Sequence, residues 1–160
     1  MGMADVIAAV LCGLTLLAAA VTDLYSRRIP NWITLPAIGT GLILTAIVDC
    51  KTLFGILIAI AVIFFAGMFG VMGGGDLKLI MAVTALCGVM PALFSVGIAS
   101  AAVITVSAIQ NPKETFSAVK NGLRCVVGKA KISEQGRRIP FAPYLLFGFA
   151  IWKLLSWILF

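Results

Sequence analysis

Six apolar segments, separated by short polar turns, dominate the pattern of the chain. Most of them approach the roughly 20 residues that a helix needs to cross about 30 Å of hydrocarbon. The alternation typical of a transmembrane barrel is absent. The sequence therefore predicts an all-α integral membrane protein with about six transmembrane helices, over Val6–Thr22, Trp32–Val48, Leu53–Val71, Leu77–Met90, Pro91–Ile109 and Ile139–Phe160.

The composition agrees with this class. Of the 160 residues, 62% are hydrophobic and 11% are charged, whereas soluble domains are about 45–50% apolar and about 25% charged. Since there is no internal repeat or low-complexity segment, we treat residues 1–160 as a single membrane-embedded domain. The first segment carries Asp5 where a signal peptide has a basic region, so we expect it to be retained as a span.

The basic residues predict the orientation of the chain in the membrane. Arg27 and Arg28 follow the first segment, and the loop 110–138 has a net charge of +5. The positive-inside rule places these loops and the 72–78 turn in the cytoplasm and both termini outside. Lys153 lies near the outer end of the last segment, between Trp152 and Trp157, where a lysine is expected to snorkel towards the interface.

The long loop has apolar residues at helical spacing with lysines between them. This pattern indicates an amphipathic helix lying on the anionic lipids of the inner leaflet, and a solvated basic loop is the alternative. The net charge of +6 does not indicate a nucleic-acid partner, because no patch interleaves basic and aromatic residues.

The chain has four cysteines and no histidine, and no two cysteines form a C-x-x-C pair. The sequence therefore predicts no metal site, no cofactor and no nucleophile activated by histidine. We expect the cysteines to be small buried apolar side chains, at Cys12, Cys50, Cys87 and Cys125.

Two of the six acidic residues are placed unlike the others. Asp23 closes the first predicted span, and Asp76 opens the fourth, so both lie at the cytoplasmic ends of their helices and can meet. A carboxylate within the hydrocarbon costs ~2.5–3.5 kcal/mol and is a functional hypothesis by default. Asp76 could instead be a helix N-cap. Asp23, at a helix C-terminus, has no such structural reason.

Two carboxyl groups that share one proton can activate a water and protonate a leaving amine, as in aspartic proteases. We expect Asp76, at a helix N-terminus, to ionise first as the base and Asp23 to hold the proton. Gly73, Gly74 and Gly75 can adopt backbone angles closed to other residues and let an extended substrate approach. A plain turn between two spans is the alternative.

Three stretches in order along the chain, "DLYSRRIPNWITLP", "GGGDLKL" and "IPFAPYLLFG", resemble the characteristic blocks of type IV prepilin peptidases, which are membrane aspartyl proteases with a G-x-G-D signature. The resemblance implies that Asp23 and Asp76 are the catalytic aspartates. Gly73, Gly74 and Gly75 then form the motif before the second aspartate.

Other residues of these blocks lie beside the aspartates or at the starts of helices. Lys78 matches the lysine that follows the motif, and it either attracts a substrate carboxylate, tunes Asp76 or is a plain interfacial lysine. The resemblance matches Pro30 and Asn31 to a turn, and we expect Pro140 and Pro143 to shape the start of the last helix.

The resemblance further implies an endopeptidase of the inner membrane that removes short basic leaders from pilin-like precursors at the cytoplasmic face, without a cofactor. The precursor's apolar helix would dock among the spans. Long members also N-methylate the product through a cytoplasmic region with paired cysteines. Because the 23–31 loop has no cysteine, we expect no methyltransferase activity. This short format is similar to the peptidases of tight-adherence (Flp) pilus systems, and archaeal preflagellin peptidases are related.

Three other interpretations stay open at this point. A small proton or solute transporter could use Asp23 and Asp76 as relays. A non-catalytic assembly subunit could use the Gly-Asp turn structurally and bind a partner through the long loop. A protease of the presenilin or signal-peptide-peptidase type is disfavoured, because those proteins have more spans.

Overall fold

The computed structural model describes residues 3–27, 29–68, 73–110 and 140–159. These residues form six helices and no strand, which confirms the all-α class. The loop between the last two helices, where an amphipathic helix was predicted, lies outside the described residues, as does Cys125. The helices are α1 (Met3–Ser26), α2 (Asn31–Val48), α3 (Cys50–Met68), α4 (Gly74–Cys87), α5 (Val89–Gln110) and α6 (Ala142–Leu159).

Helix α4 forms the core of the bundle. Eight consecutive residues, 79–86, are buried, and α1, α2, α3 and α5 all pack against the helix. With 14 residues it is about 21 Å long, which is too short to cross about 30 Å of hydrocarbon unaided. The fourth predicted span is therefore a buried central helix surrounded by the longer ones.

The surrounding helices have the properties of membrane-spanning segments. Three are long and apolar enough to cross a bilayer, over Asp5–Ser26, Asn31–Val48 and Val89–Ile109. Two shorter apolar helices, Cys50–Phe65 and Ala142–Ile158, accompany them. Large apolar side chains such as Leu14, Phe54 and Val62 are exposed on the outside of the bundle, where a bilayer would cover them. These features indicate a membrane protein, and the number of spans and the outward termini stay predictions.

Two glycines let helices approach each other at backbone distance. A Cβ on Gly41 of α2 would lie 2.6 Å from the carbonyl carbon of Ala85 in α4. A Cβ on Gly148 of α6 would lie 2.5 Å from the carbonyl oxygen of Ser95 in α5. Such small-residue contacts are typical of membrane helix packing. These close contacts set the register of α2 against α4 and of α6 against α5. They therefore set the level in the bundle at which α2 and α6 begin.

The turn between α1 and α2 brings two helix ends together. Helix α1 extends to Ser26, beyond the predicted end at Thr22, so Asp23 lies within its last turn. Arg27 then adopts a left-handed conformation with φ 50°, and its N–H donates to the Asp23 carbonyl oxygen at 3.0 Å, as at other helix C-termini. Pro30 precedes α2 as its N-cap residue, which confirms the predicted proline turn.

The expectation of buried cysteines is right for Cys12 and wrong for Cys50. Cys12 is fully buried, whereas Cys50 is exposed. The reason is position, because Cys50 is the first residue of α3, in the tight connection that follows α2.

Candidate active site

The candidate active site lies where four helix ends meet. Helix α1 ends there with Asp23 in its last turn, and α4 begins there with Asp76 in its first turn. The starts of α2 and α6 complete the site, through Asn31 beside α4 and Ala142 beside α1. Three helix N-termini therefore converge at this end of the bundle, and each carries partial positive charge.

Asp23 is a buried acid, 6% exposed, with a defined partner. The backbone N–H of Ala142 donates to its Oδ2 atom at 3.1 Å, and this hydrogen bond is buried. Because Ala142 is the first residue of α6, the positive end of that helix offsets the unfavourable position of a carboxylate at the end of α1.

The sequence interpretation found no structural reason for a carboxylate at this helix C-terminus because it considered only α1 and the arginines that follow it, and α6 supplies one. The donor is a backbone group, which no motif of side chains could reveal. Pro140 and Pro143 gave an indirect signal, since prolines gather at the first turn of helices.

Asp76 is not the N-cap of α4, which corrects the structural alternative for this residue. Gly73 occupies that position, and its carbonyl oxygen accepts the N–H of Leu77 at 3.1 Å. Asp76 is half-buried in the first turn, before the apolar stretch Leu77–Met90. The Asp76 carboxyl group is therefore not the N-cap acceptor of α4.

Burial and the negative charge of Asp23 raise the pKa of Asp76 from 3.8 to about 6. The two carboxyl groups, 53 residues apart in sequence, therefore lie within electrostatic range of each other. Which acid ionises first stays a prediction, but the reason given for Asp76 does not hold. Its place at a helix N-terminus favours ionisation, but burial and the like charge outweigh that effect.

The three glycines have ordinary backbone conformations, so the expectation of special angles is wrong. Gly73 has φ −62° and ψ 137°, and Gly74 and Gly75 are helical. What matters is the missing side chain at two of them. A Cβ on Gly73 would lie 3.2 Å from Oδ2 of Asp76, and one on Gly75 would lie 3.4 Å from Cβ of Ile29. A Cβ on Gly74 would meet nothing within 4 Å.

Lys78 connects the starts of α4 and α2. Its Nζ atom donates to Oδ1 of Asn31 at 2.8 Å, and the contact is exposed. The sequence pattern singled out both residues but did not pair them, because they are 47 residues apart. Lys78 follows Asp76 by only two residues, which is about 3 Å along the helix axis, so the two side chains leave α4 on different faces.

This arrangement can transfer protons. One carboxyl group accepts a backbone N–H, and the other takes up a proton near pH 6, so together they can receive a proton from a water and return it to a leaving group. Among the described residues, no group of three or more His, Cys, Asp and Glu side chains could hold a metal ion.

Comparison with known protein families identifies one family that matches the chain. The model of the type IV leader peptidase family matches residues 9–108, more than half of the chain. The matched region includes both Asp23 and Asp76 and ends before α6. No curated protein and no solved structure matches the chain. The family match implies an aspartic-type peptidase that acts on prepilin-like substrates.

Proposed function

The chain belongs to the type IV leader peptidase family, and we propose that it is an aspartyl endopeptidase that removes the short basic leader of a prepilin-like precursor at the cytoplasmic face of the inner membrane. One observation carries the proposal. The buried Asp23 carboxylate accepts the Ala142 N–H and lies within electrostatic range of Asp76.

In the proposed mechanism the two aspartates divide the proton transfers. Asp23, oriented by the Ala142 N–H, accepts a proton from a water as that water attacks the scissile carbonyl carbon. Asp76, whose pKa is raised to about 6, takes up the other proton and donates it as the carbon–nitrogen bond breaks.

The glycines and Lys78 are proposed to bind the precursor. The surroundings of Gly74 are open, whereas Gly73 and Gly75 are close to Asp76 and Ile29. An extended segment of precursor can therefore run past Gly74 within reach of both carboxyl groups. Lys78, held by Asn31, offers a cation at the edge of this path. The precursor's apolar helix would dock against the exposed apolar faces of the bundle.

The proposed cytoplasmic orientation rests on charge. Arg27 and Arg28 follow Asp23 by four and five residues, and the loop before α6 has a net charge of +5. In sequence, both adjoin helix ends that form the site, the end of α1 and the start of α6. Basic loops of this kind stay on the cytoplasmic side, so the leader would be cleaved there while the precursor's apolar helix stays in the membrane.

The test is cleavage of a reconstituted precursor with a basic leader. The purified protein and its Asp23→Asn and Asp76→Asn variants would be incubated with the precursor in detergent, and mass spectrometry would identify the new N-terminus. We expect cleavage by the unmodified protein and a loss of about a thousandfold in each variant. Equal cleavage by the variants would show that Asp23 and Asp76 are not the catalytic pair.

The same assay separates the remaining alternatives. With a methyl donor present, we expect an unmethylated product. If no precursor is cleaved by the folded protein, flux measurements in vesicles would test the transporter, for which each Asp→Asn change should abolish flux instead. Retained pilus assembly with both variants would point to the non-catalytic subunit.

A further inference from the structure

A second pair of reactive side chains lies about three helical turns from the aspartates, on the same two helices. Cys12 of α1 and Cys87 of α4 are free thiols, one fully buried and the other half-buried. The two thiols lie within electrostatic range of each other, and Cys87 packs against the buried core cluster that includes Cys12. The Cys87 thiol also donates to the carbonyl oxygen of Ala8 at 4.0 Å, and Ala8 is one helical turn before Cys12 on α1.

The register of the two helices explains why the cysteines meet. Asp23 follows Cys12 by eleven residues on α1, and Cys87 follows Asp76 by eleven residues on α4. Eleven residues are about three helical turns, or about 16 Å, so each cysteine lies on the same face as the aspartate of its helix. Since α1 ends and α4 begins at the site, the two helices are antiparallel. The packing of α1 against α4 therefore also brings Cys87 close to the part of α1 that carries Cys12, about three turns from the aspartates.

Helix α6 supplies a cation at the same level. Lys153 follows Ala142 by eleven residues, and its charge acts on Cys87, the more accessible of the two thiols. The sequence interpretation of Lys153 as a residue that snorkels away to the outer interface omitted this role. A neighbouring ammonium stabilises the thiolate, which is the form of cysteine that reacts with disulfides.

We propose that Cys12 and Cys87 are a redox-active dithiol, and that oxidation joins them in a disulfide that ties α1 to α4. The proposal concerns a site outside the candidate active site and does not depend on the proposed function. The exposed fraction of Cys87 makes it the first to react, and the buried Cys12 closes the bond. The disulfide would hold α1 and α4 together about three helical turns from Asp23 and Asp76.

The oxidant is a disulfide donor, in a thiol–disulfide exchange. The Cys87 thiolate attacks one sulfur of the donor, which forms a mixed disulfide and releases a donor thiolate. The Cys12 thiolate then attacks the Cys87 sulfur and releases the second donor thiolate. The two protons of the cysteines pass to the two donor thiolates, so one donor disulfide is reduced to two thiols for each disulfide formed.

The experiment uses the full chain with Cys50→Ser and Cys125→Ser, which leaves the Cys12 and Cys87 pair intact. The folded protein is incubated with oxidised glutathione, quenched with acid, denatured and labelled with a maleimide before its mass is measured. We expect a mass two hydrogens lower with no maleimide added, and two maleimides after reduction. Two maleimides after oxidation, or two bound glutathiones, would overturn the proposal.

A matched control retains Cys50 and Cys87 and carries Cys12→Ser and Cys125→Ser. Because Cys50 is exposed at the start of α3, we expect bound glutathione and no internal disulfide in this variant. An internal disulfide formed equally well would show that the protein is too mobile for the contact to matter, and the proposal would fail. Lys153→Gln should slow disulfide formation by about fivefold, since it removes the charge that favours the thiolate. An unchanged rate would remove Lys153 from the site.

Discussion

Asp49 and Asp76 both lie at the start of a helix, and the fold treats them in opposite ways. Asp49 precedes α3 as its cap. Its carboxylate accepts the N–H of Lys51 at 3.0 Å, the N–H of Thr52 at 3.2 Å and the Thr52 hydroxyl at 2.6 Å. These hydrogen bonds, that of the Thr52 hydroxyl first, lower the pKa of Asp49. In α4 the N-cap residue is Gly73, not Asp76. Burial and the charge of Asp23 raise the pKa of Asp76 to about 6.

The difference shows how to separate a structural acid from a functional one. Asp49 is exposed and satisfied by its own helix, as a good N-cap is. Asp76 is half-buried beside a second acid, an arrangement that disfavours the charged form and gains nothing for the fold. Such perturbed groups gather at functional sites. Helix α2, about 27 Å long, separates the two environments.

The largest contrast is expected in catalysis. Asp49→Asn should leave the rate of precursor cleavage within about twofold, because Asn keeps an acceptor at the cap far from the site. Asp76→Asn should lower the rate by about a thousandfold, because it removes the proposed proton donor. Initial rates with one precursor measure both. A loss of equal size in both variants would mean that the acids matter for folding alone.

A smaller contrast is expected between neighbouring glycines. A methyl group at residue 73 would lie 3.2 Å from Oδ2 of Asp76, whereas one at residue 74 would meet nothing within 4 Å. Gly73→Ala should therefore displace the carboxyl group and lower the cleavage rate by about tenfold. Gly74→Ala is the control. This variant should fold, and its kcat for cleavage of a short precursor should stay within about threefold of that of the unmodified protein. The reverse order would contradict the placement of Asp76.

The two acids should affect stability with opposite signs at pH 7.5. The pKa of Asp76 is raised, so its ionised form lowers the free energy of unfolding above pH 6, and this penalty vanishes below about 3.8. Asp76→Asn should raise the melting temperature at pH 7.5 and have little effect at pH 3.5. A lower melting temperature at pH 7.5 would contradict the raised pKa.

The pKa of Asp49 is lowered, so its contribution to stability is present above 3.8 and is lost as the pH falls through its folded-state pKa. Asp49→Ala should lower the melting temperature at pH 7.5 by about 2–4 °C, because the start of α3 loses its cap. Thermal unfolding in detergent at several pH values would measure this. A decrease in melting temperature that becomes larger towards acid pH would contradict the lowered pKa of Asp49.

The smallest effect is expected at the contact of Lys78 with Asn31. Asn31→Ala removes the acceptor at 2.8 Å, and exposed contacts of this kind contribute little to stability. We expect an increase of about twofold to threefold in KM with kcat retained, because Lys78, the cation proposed to bind the precursor, loses its fixed position. A change in kcat alone would assign Lys78 to the reaction step rather than to binding.

Much of this fold follows from local sequence. Apolar segment length and Pro30 predicted the helix order, and the charges placed Asp23 and Asp76 at one end. Long-range contacts could not be predicted in this way. The approach of Gly41 to Ala85, the pairing of Lys78 with Asn31 and the meeting of Cys12 with Cys87 depend on how separate helices slide past each other, which no local pattern records.

The argument for an easily ionised Asp76 failed for a related reason. The prediction for Asp76 used the dipole of its own helix, a local property, whereas burial by the surrounding helices and the charge of Asp23 decide its pKa. The support of Asp23 by Ala142 likewise comes from a helix more than 100 residues away in sequence.

The central claim is that Asp23 and Asp76 form one coupled pair, and the most direct test is a titration of Asp76. The side-chain carboxyl ¹³C shift of Asp76 would be followed against pH by NMR in the unmodified protein and in Asp23→Asn. We predict a midpoint at about 6 that moves to lower pH in the variant, because a neighbouring negative charge has been removed. A midpoint near 4 in the unmodified protein, or one that Asp23→Asn leaves unchanged, would contradict the pair.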